Sequence, residues 1–381
     1  MTRILIAPDK FKGTLSAAEV AAHLGDGIRS VLPDAEVVAV PVADGGDGTL
    51  AAAEAAGFTR VPVEASGPTG MPCGTAFARR GTEAVVELAA ISGLAQLPEG
   101  QLQPLTASSR GTGELVAAAL EAGCRRIVVG IGGSACTDGG AGLVEALGAR
   151  VLDASGSEVG PGGGALLDAA RVDLSRLDPR LAEAEVVVAC DVDNPLTGLR
   201  GAAAVYGPQK GATADQVALL DRALSHWADL VAVATGRDLR EAPGAGAAGG
   251  VGFAAVAVLG ASLRPGAELV FELSGFHDAV RGSDLVITGE GSLDEQTLHG
   301  KAPAAVAAVA QEAGVPVVAV AGQVTLSAAQ QAAAGIRTAY ALVDEAADPA
   351  DAFARPGELL ERIGARIAAA LSAPDPASVT P

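Results

Sequence analysis

The sequence has few aromatic residues and few basic ones. Aromatic residues make up 3% of its 381 residues and hydrophobic residues 49%, so a core must be built mainly from Ala, Val, Leu and Ile. Acidic residues outnumber basic residues by 45 to 26, which gives a formal net charge of −19. Because like charges repel, a chain this acidic is predicted to bind neither nucleic acid nor an anionic membrane surface.

The sequence also lacks paired cysteines, and its N-terminal residues are not expected to form a secretion signal. Its four cysteines form no CxxC pair, which argues against a structural zinc site or a disulfide framework and favours a reducing compartment. The N-terminus reaches Asp9 before an apolar signal region could form. The uncharged stretch from Ala242 to Leu263 contains Pro243 and several glycines, so we expect a loop and a buried helix there. We therefore predict a cytoplasmic protein.

Two common nucleotide-binding motifs are missing. No GxxxxGK[ST] sequence occurs, because Ala302 follows Gly300-Lys301, so this is not a P-loop protein. Gly244 to Gly249 formally matches GxGxxG, but it follows Pro243 and not a strand. That context argues against a nucleotide-dependent dehydrogenase.

The most informative stretch runs from Arg126 to Gly142 and reads RIVVGIGGSACTDGGAG. The β-branched run at its start predicts a buried strand, which leads into Gly132-Gly133-Ser134 and then into a helical pattern. A strand that ends in glycines before a helix directs free backbone N–H groups at one point, where an anion can bind. The alternative is a tight turn without a ligand.

Charged side chains follow other predicted strands. Asp44 comes after the strand at 37–42 and Asp191 after the strand at 186–190, where a carboxylate can bind Mg²⁺ or accept a proton from a hydroxyl. Asp47, by contrast, suits a helix cap. The strand at 284–288 enters a glycine loop that contains Glu290, Asp294 and Lys301.

Lysine is rare and is confined to such loops. In so acidic a chain, an anionic substrate must be met by a few placed basic groups. In an open α/β sheet, ligands bind at the carboxyl ends of the strands. Lys10 and Lys12 follow the predicted strand at 3–7 and would lie at such a position. The alternative for those two is a solvated loop charge. The four lysines are Lys10, Lys12, Lys210 and Lys301.

Length and pattern predict two α/β domains. The chain exceeds one typical domain. From Thr59 to Leu94 the pattern changes to short strands broken by Gly and Pro turns, which indicates a small antiparallel meander. Alternation of strands and helices returns later in the chain.

Eight motifs, taken together and in order, resemble the bacterial glycerate kinase family. Four lie in the first 142 residues: IAPDKFKGTLSA at Ile6, PVADGGDGT at Pro41, SRGTGELV at Ser109 and GIGGSACTDGGAG at Gly130. The others are ACDVDNPL at Ala189, GPQKGA at Gly207, PGAGAAGG at Pro243 and TGEGSLDEQTLHGKAP at Thr288. The resemblance covers nearly the whole chain.

The resemblance implies an ATP-dependent kinase that phosphorylates D-glycerate at the 2-hydroxyl to give 2-phosphoglycerate. It implies a Rossmann-like α/β domain with a parallel sheet, formed by residues 1–60 and 275–381, and a second mixed α/β domain of residues 61–274. The segment 105–150 could belong to either domain. The active site is expected in the cleft between the domains, and a homodimer is left open.

The resemblance also implies roles for the charged loops. Three lysines would stabilise phosphate or the glycerate carboxylate: Lys12, Lys210 and Lys301. Asp191 or Asp44 would orient the attacking hydroxyl, and Asp294 or Glu290 would help hold Mg²⁺. The backbone donors expected to bind ATP are those of Gly132, Gly133, Ser134, Gly289 and Gly291.

Two other functions stay open at this point. One is a kinase of another small hydroxy or sugar acid on the same scaffold. The other is a sensor that binds a sugar acid without catalysis. The loops keep both the carboxylates suited to a metal and the lysines. This argues against a sensor, because a sensor without catalysis need not keep both kinds of side chain.

Overall fold

The fold is given by a computed structural model that describes residues 1–299, 301–348 and 350–372. The strands are β1 (Arg3–Pro8), β2 (Glu36–Ala39), β3 (Thr59–Ser66), β4 (Pro72–Arg80), β5 (Glu83–Glu87), β6 (Arg126–Gly130), β7 (Arg150–Asp153), β8 (Ala169–Asp173), β9 (Glu185–Ala189), β10 (Ser262–Arg264), β11 (Leu285–Leu293), β12 (Val317–Val324) and β13 (Thr338–Ala341).

The α-helices are α1 (Ala17–Val31), α2 (Thr49–Ala55), α3 (Ala89–Ser92), α4 (Arg110–Glu121), α5 (Ala141–Ala146), α6 (Ala202–Tyr206), α7 (Ala214–Thr235), α8 (Val251–Ala257), α9 (Gly266–Ser274), α10 (Phe276–Arg281), α11 (Ala302–Glu312), α12 (Ala328–Ala333), α13 (Leu342–Glu345), α14 (Asp351–Ala354) and α15 (Pro356–Ser372). Short 3₁₀ turns include Pro208–Lys210 and Glu295–His299.

One compact unit contains the described residues of 1–43 and 270–381. Its five-stranded sheet has the order β13-β12-β11-β1-β2, and every pair is parallel. From β1 the chain moves to β2 on one side, whereas from β11 it moves to β12 and β13 on the other. The order therefore reverses between β1 and β11, as at the ligand-binding crevice of doubly wound sheets. The predicted Rossmann-like parallel sheet is confirmed.

Several strand boundaries in this unit differ from prediction, and the largest change is that the strand predicted at 284–288 extends as β11 to Leu293, through the start of the predicted glycine loop. The strand predicted at 37–42 ends at Ala39, although the N–H groups of Val40 and Val42 still donate to Ile6 and Pro8. Strand β13 ends at Ala341, and α13 begins at Leu342 with Asp344 and Glu345 in its first turn. Acidic side chains there stabilise the helix N-terminus.

Helix α1 packs against α15 in the core of this unit, and glycines allow the close approach. A capping box of Ser16 and Glu19 starts α1. A Cβ on Gly27 would overlap the carbonyl oxygen of Glu361, and a Cβ on Gly364 would overlap that of Leu24. The two backbones therefore touch where a side chain cannot fit.

Substituting Gly27 with alanine should lower the free energy of unfolding by about 1–3 kcal/mol, the usual cost of overpacking. This cost exceeds the roughly 0.5–1 kcal/mol that alanine gains in helix propensity. Gly25 is a matched control on the same helix, because its nearest neighbour is the end of the flexible Arg29 side chain at 3.1 Å. Gly25→Ala should be neutral or stabilising in urea unfolding. Equal losses for both variants would contradict the packing argument.

The other compact unit contains residues 44–269. Its six-stranded sheet has the order β10-β9-β6-β5-β4-β3, with parallel pairing from β10 to β5 and antiparallel pairing from β5 to β3. The predicted antiparallel meander is confirmed, and β5 joins it to the parallel strands. Strands β7 and β8 form a separate antiparallel pair.

The core of this second unit is aliphatic, as the composition predicted. Val128, Val129, Val187 and Val188 of β6 and β9 are buried, and Trp227 of α7 is fully buried. The expected buried helix after Pro243 is α8. Among the described helices, none has the length and apolar character needed to cross a membrane.

Compact units defined by contacts within a chain need not coincide with domains. The domain boundaries predicted after residues 60 and 274 therefore stay predictions.

Candidate active site

A cavity of about 220 Å³ lies at the carboxyl ends of β6 and β9 in the second unit. The loops that follow these parallel neighbours meet at one edge of the sheet, where α/β proteins bind ligands. Residues of the cavity wall include Asp44, Gly45, Gly46, Gly132, Gly133, Ser134, Asp191, Tyr206, Gln209, Lys210 and Ala248. The fold therefore brings six of the predicted site residues to one cavity: Asp44, Gly132, Gly133, Ser134, Asp191 and Lys210.

The glycine loop after β6 supplies backbone donors to this cavity. Gly133 has a φ of 74°, which favours glycine, and a Cβ on Gly132 would lie 2.7 Å from the Cα of Gly46. Within the described chain, no acceptor takes the backbone N–H of Gly132, Gly133 or Ser134. These N–H groups are therefore available to an anion, and their predicted role in binding phosphate stays a prediction.

Lys210 is the buried cation of the cavity, with 2% of the residue exposed. Its ammonium donates to Ser134 Oγ at 2.8 Å and to the carbonyl oxygen of Cys136 at 2.5 Å. Burial lowers the pKa of Lys210, and the negative charge of Asp138 opposes that shift. An ammonium has three N–H donors. In the described part of the chain two of them are used, which leaves one for a ligand.

Asp191 is the perturbed carboxylate of the cavity. One of its oxygens accepts a hydrogen bond from the backbone N–H of Gly266 at 2.9 Å. Although part of the residue is exposed, desolvation of the carboxyl group raises the pKa of Asp191 to about 6, and the charges of Asp44 and Glu268 add to the shift. A carboxylate with a raised pKa in a cavity is a candidate general base.

Asp44 is held next to this carboxylate by a tight turn. Its Oδ1 accepts the backbone N–H of Gly46 at 3.1 Å. A Cβ on Gly266 would overlap the carbonyl oxygen of Asp44, so the two backbone segments lie in contact there. The turn leaves Asp44 on the cavity wall, where it raises the pKa of Asp191 through like charge.

A fully buried aspartate, which the sequence pattern did not single out, supports the glycine loop. Asp138 accepts from the N–H and Oγ of Ser109 at 2.8 and 2.9 Å, and from the N–H groups of Gly140 and Gly142 at 3.1 and 3.3 Å. It thereby joins the N-cap residue of α4 to the start of α5. Its position directly before two glycines was the available signal.

Tyr206 is a second residue that sequence reasoning missed. It lines the cavity, and its hydroxyl donates to Asn194 Oδ1 at 2.7 Å. The Asn194 side chain in turn donates to the carbonyl oxygen of Arg200 at 2.8 Å. These bonds hold the loop that follows Asp191. The only signal was that one of two tyrosines precedes the GPQK sequence.

The remaining six predicted residues lie in the first unit, around the reversal point between β1 and β11. Strand β1 ends where Pro8 pairs with Gly289, and β11 continues to Leu293. A Cβ on Gly291 would lie 3.4 Å from the backbone nitrogen of Lys12. The six residues are Lys12, Gly289, Glu290, Gly291, Asp294 and Lys301.

Glu290, on β11, forms an ion pair with Lys301, the N-cap residue of α11. Glu290 is 7% exposed; its Oε1 accepts from the Thr297 hydroxyl and its Oε2 lies 3.8 Å from Lys301 Nζ. Asp294 accepts from Ser292 Oγ at 3.2 Å and from the N–H of Gln296 at 2.9 Å. Over the described residues, no three His, Cys, Asp or Glu side chains are grouped as a metal site.

The hydroxyl of Thr137, next to Asp138, is fully buried and has no hydrogen-bond partner within the described chain. An unpaired buried hydroxyl costs about 1–3 kcal/mol. Thr137→Val, which keeps the shape, should therefore raise the free energy of unfolding by about 1 kcal/mol in urea titrations.

Thr112 is the matched control for that substitution. It is equally buried, but its hydroxyl donates to Ser92 Oγ at 2.9 Å. Thr112→Val should lower the free energy of unfolding by about 1 kcal/mol. A loss of stability in both variants would mean that the Thr137 hydroxyl has a partner.

Comparisons with known proteins agree with one another. The family model described as the glycerate kinase family matches residues 4–372. A relative named glycerate kinase, from Bacillus subtilis (strain 168), is 47% identical over 372 residues, which are 97% of each chain. A relative named glycerate 2-kinase, from Escherichia coli (strain K12), is 47% identical over 85% of this chain and 86% of its own.

A solved structure has the same fold. The crystal structure of a protein designated glycerate kinase 2, from Salmonella typhimurium LT2, superposes with a TM-score of 0.86 at 43% sequence identity. The match covers 97% of this chain and 98% of that one.

Proposed function

The chain belongs to the glycerate kinase family, and from that premise we propose that it transfers the γ-phosphoryl group of ATP to the 2-hydroxyl of D-glycerate. The products are 2-phosphoglycerate and ADP. Kinases of this family phosphorylate an alcohol group of glycerate and use ATP as donor. The name of the Escherichia coli relative, glycerate 2-kinase, supports the choice of hydroxyl.

The acceptor site is proposed here because Asp191 and the buried Lys210 line the same small cavity. Its volume of about 220 Å³ is below the roughly 300–1,000 Å³ that drug-sized ligands fill, which suits a three-carbon acid. The glycerate carboxylate, in place of the ATP phosphate expected from the sequence, would bind the third N–H of Lys210 and the free N–H groups of Gly132 and Gly133. The 2-hydroxyl would then face Asp191.

The transfer step follows from the charges of these groups. As the oxygen of the glycerate 2-hydroxyl bonds to the γ-phosphorus, Asp191 accepts the proton of that hydroxyl. The bond from the phosphorus to the ADP oxygen breaks in the same step. Asp44 keeps Asp191 basic through like charge. Because phosphoryl transfer depends mainly on positioning and charge neutralisation, Lys210 contributes by fixing the acceptor.

The donor would bind at the reversal point of the parallel sheet in the first unit. Gly291 leaves room for phosphate next to the backbone of Lys12, whereas a Cβ on Gly289 would overlap the carbonyl oxygen of Val320. Lys301 stands at the N-cap of α11, where a helix terminus favours negative charge. The side chains of Lys12 and Lys301 would neutralise the triphosphate.

Magnesium would enter with ATP, as part of the substrate. Mg²⁺ is commonly held by one or two carboxylates together with phosphates, so a cage of several protein ligands is not required. Asp294 fits this role, because each of its oxygens accepts one hydrogen bond and a carboxylate offers about four lone-pair sites. Glu290 fits less well, since it already faces Thr297 and Lys301.

We also propose a cytoplasmic location, which the four free cysteines support. A homodimer stays a prediction.

The test is to incubate the purified protein with D-glycerate, ATP and Mg²⁺ and to identify the product by phosphorus NMR. We expect 2-phosphoglycerate and an equal amount of ADP. A 3-phosphoglycerate signal would overturn the choice of hydroxyl. Absence of ADP with D-glycerate, but turnover of another hydroxy acid in a panel, would overturn the substrate.

A further inference from the structure

A second cavity, of about 400 Å³, lies in the first unit. It is lined by Asp294, Glu295, Gln296, Thr325 and Gln330. Strands β11 and β12 pair up to their last residues, Leu293 with Val324, so the loops that begin at Asp294 and Thr325 leave the sheet side by side. The cavity therefore lies at the carboxyl edge of the parallel sheet, one strand away from the reversal point.

The walls of this cavity are fixed by hydrogen bonds that leave other polar atoms available. Ser327 Oγ and N–H donate to Gln330 Oε1 at 2.8 and 3.0 Å, which holds that carboxamide, and its Nε2 has no hydrogen-bond acceptor among the described residues. The hydroxyl of Thr325 donates to the carbonyl oxygen of Leu293 at 3.4 Å. Over the described residues, the side chains of Glu295 and Gln296 have no hydrogen-bond partner.

We propose that this cavity binds the nucleoside of the donor nucleotide, with the Gln296 carboxamide as its main contact. A carboxamide can pair with the adjacent donor and acceptor of adenine, and a carboxylate such as Glu295 can accept from a ribose hydroxyl. The inference rests on the proposed kinase function. It gives a binding site to the nucleoside of ATP, whereas Lys12 and Lys301 are proposed to bind its phosphates.

The distance from the phosphate region supports one ligand across both places. Gly291, beside which phosphate is proposed to bind, and Asp294, the proposed Mg²⁺ ligand on the cavity wall, are three residues apart along β11 and the residue after it, or about 10 Å at 3.3 Å per residue. That separation is within the length of one extended nucleoside triphosphate. A volume of about 400 Å³ is in the range of small-molecule sites and exceeds the acceptor cavity nearly twofold.

Inorganic tripolyphosphate separates this proposal from a role in phosphate or metal binding, because it lacks the nucleoside. Binding of ATP and of tripolyphosphate, each with Mg²⁺, would be measured by calorimetry on the full chain. The wild-type protein should bind ATP more tightly. Gln296→Ala should weaken ATP binding about tenfold, as expected for lost hydrogen bonds, and leave tripolyphosphate binding within about twofold.

Gln311→Ala is the matched control, because Gln311 is an exposed glutamine on α11 in the same unit and does not line the cavity. It should change neither affinity. Equal weakening of ATP and tripolyphosphate in Gln296→Ala would overturn the proposal in favour of a phosphate or metal role. No weakening of either would also overturn it. Because the readout is binding, failure of glycerate turnover would be recognised separately as failure of the proposed function.

Discussion

Substituting Asp191 with asparagine should lower kcat for glycerate phosphorylation about 10²–10⁴-fold, the contribution of a positioned general base. Asparagine keeps the size of the side chain and can still accept the N–H of Gly266, but it cannot take the proton of the hydroxyl. Asp193→Asn is the matched control, because Asp193 is two residues away and forms an exposed ion pair with Arg200 at 3.0 Å. Its kcat should stay within about twofold, as for most exposed ion pairs.

The pH profile gives a second, independent readout of the same residue. The raised pKa of Asp191, about 6, means that the carboxylate is ionised above that pH and protonated below it. Wild-type kcat/KM, which reports groups of the free enzyme, should therefore level off above pH 6 and fall about tenfold per pH unit below it. The residual activity of Asp191→Asn should not show this limb. A limb that persists in the variant would assign the titration to another group.

Stability separates loss of the base from loss of the fold. A carboxylate whose folded-state pKa is raised opposes folding once it ionises, so its contribution to stability is lost as pH rises through that pKa. At pH 8, Asp191→Asn should thus be as stable as the wild-type protein or more stable. A lower unfolding midpoint would mean that Asp191 holds the structure of the loop instead.

Local sequence patterns were enough to locate much of the candidate site. The apolar run of β6 followed by Gly132-Gly133-Ser134 predicted both the strand and the free N–H groups after it. Asp191 follows β9 in the same way. These features are local, because a strand end and the loop after it are encoded by adjacent residues.

Strand order and long-range hydrogen bonds could not be predicted in this way. The cavity exists because β6 lies between β5 and β9, and because the loop of Asp44 comes to lie against the loop of Gly132. Nothing in either loop specifies the other. The bond from Tyr206 to Asn194 likewise joins two loops whose proximity depends on the packing of α6. Such contacts follow from the complete fold.

Charge alone also gave an incomplete view of the acidic residues. The pattern placed equal weight on Glu290 and Asp294 as Mg²⁺ ligands, whereas the structure pairs Glu290 with Thr297 and Lys301. The same pattern gave no role to Asp138, which is fully buried. A buried carboxylate and an exposed one are identical in sequence, and burial decides how much their hydrogen bonds contribute.

Asp138→Ala should cause the largest loss of stability, about 3–5 kcal/mol in the free energy of unfolding of the second unit. The substitution removes a fully buried carboxylate and leaves the N–H groups of Ser109, Gly140 and Gly142 without their acceptor. It also removes the negative charge that favours protonated Lys210. Domains are typically stable by about 5–15 kcal/mol, so the loss is a large fraction of the total.

Asp153→Ala is the control that isolates burial as the cause. Asp153 also accepts several hydrogen bonds, three against the five at Asp138, from the N–H groups of Ser155 and Ser157 and from the Ser155 hydroxyl, but it lies in a turn where water can replace its carboxylate. Its loss should cost at most about 1 kcal/mol. Urea unfolding followed by Trp227 fluorescence reports on the second unit, which contains this single tryptophan. Equal losses for the two variants would show that bond number, and not burial, determines the contribution of Asp138.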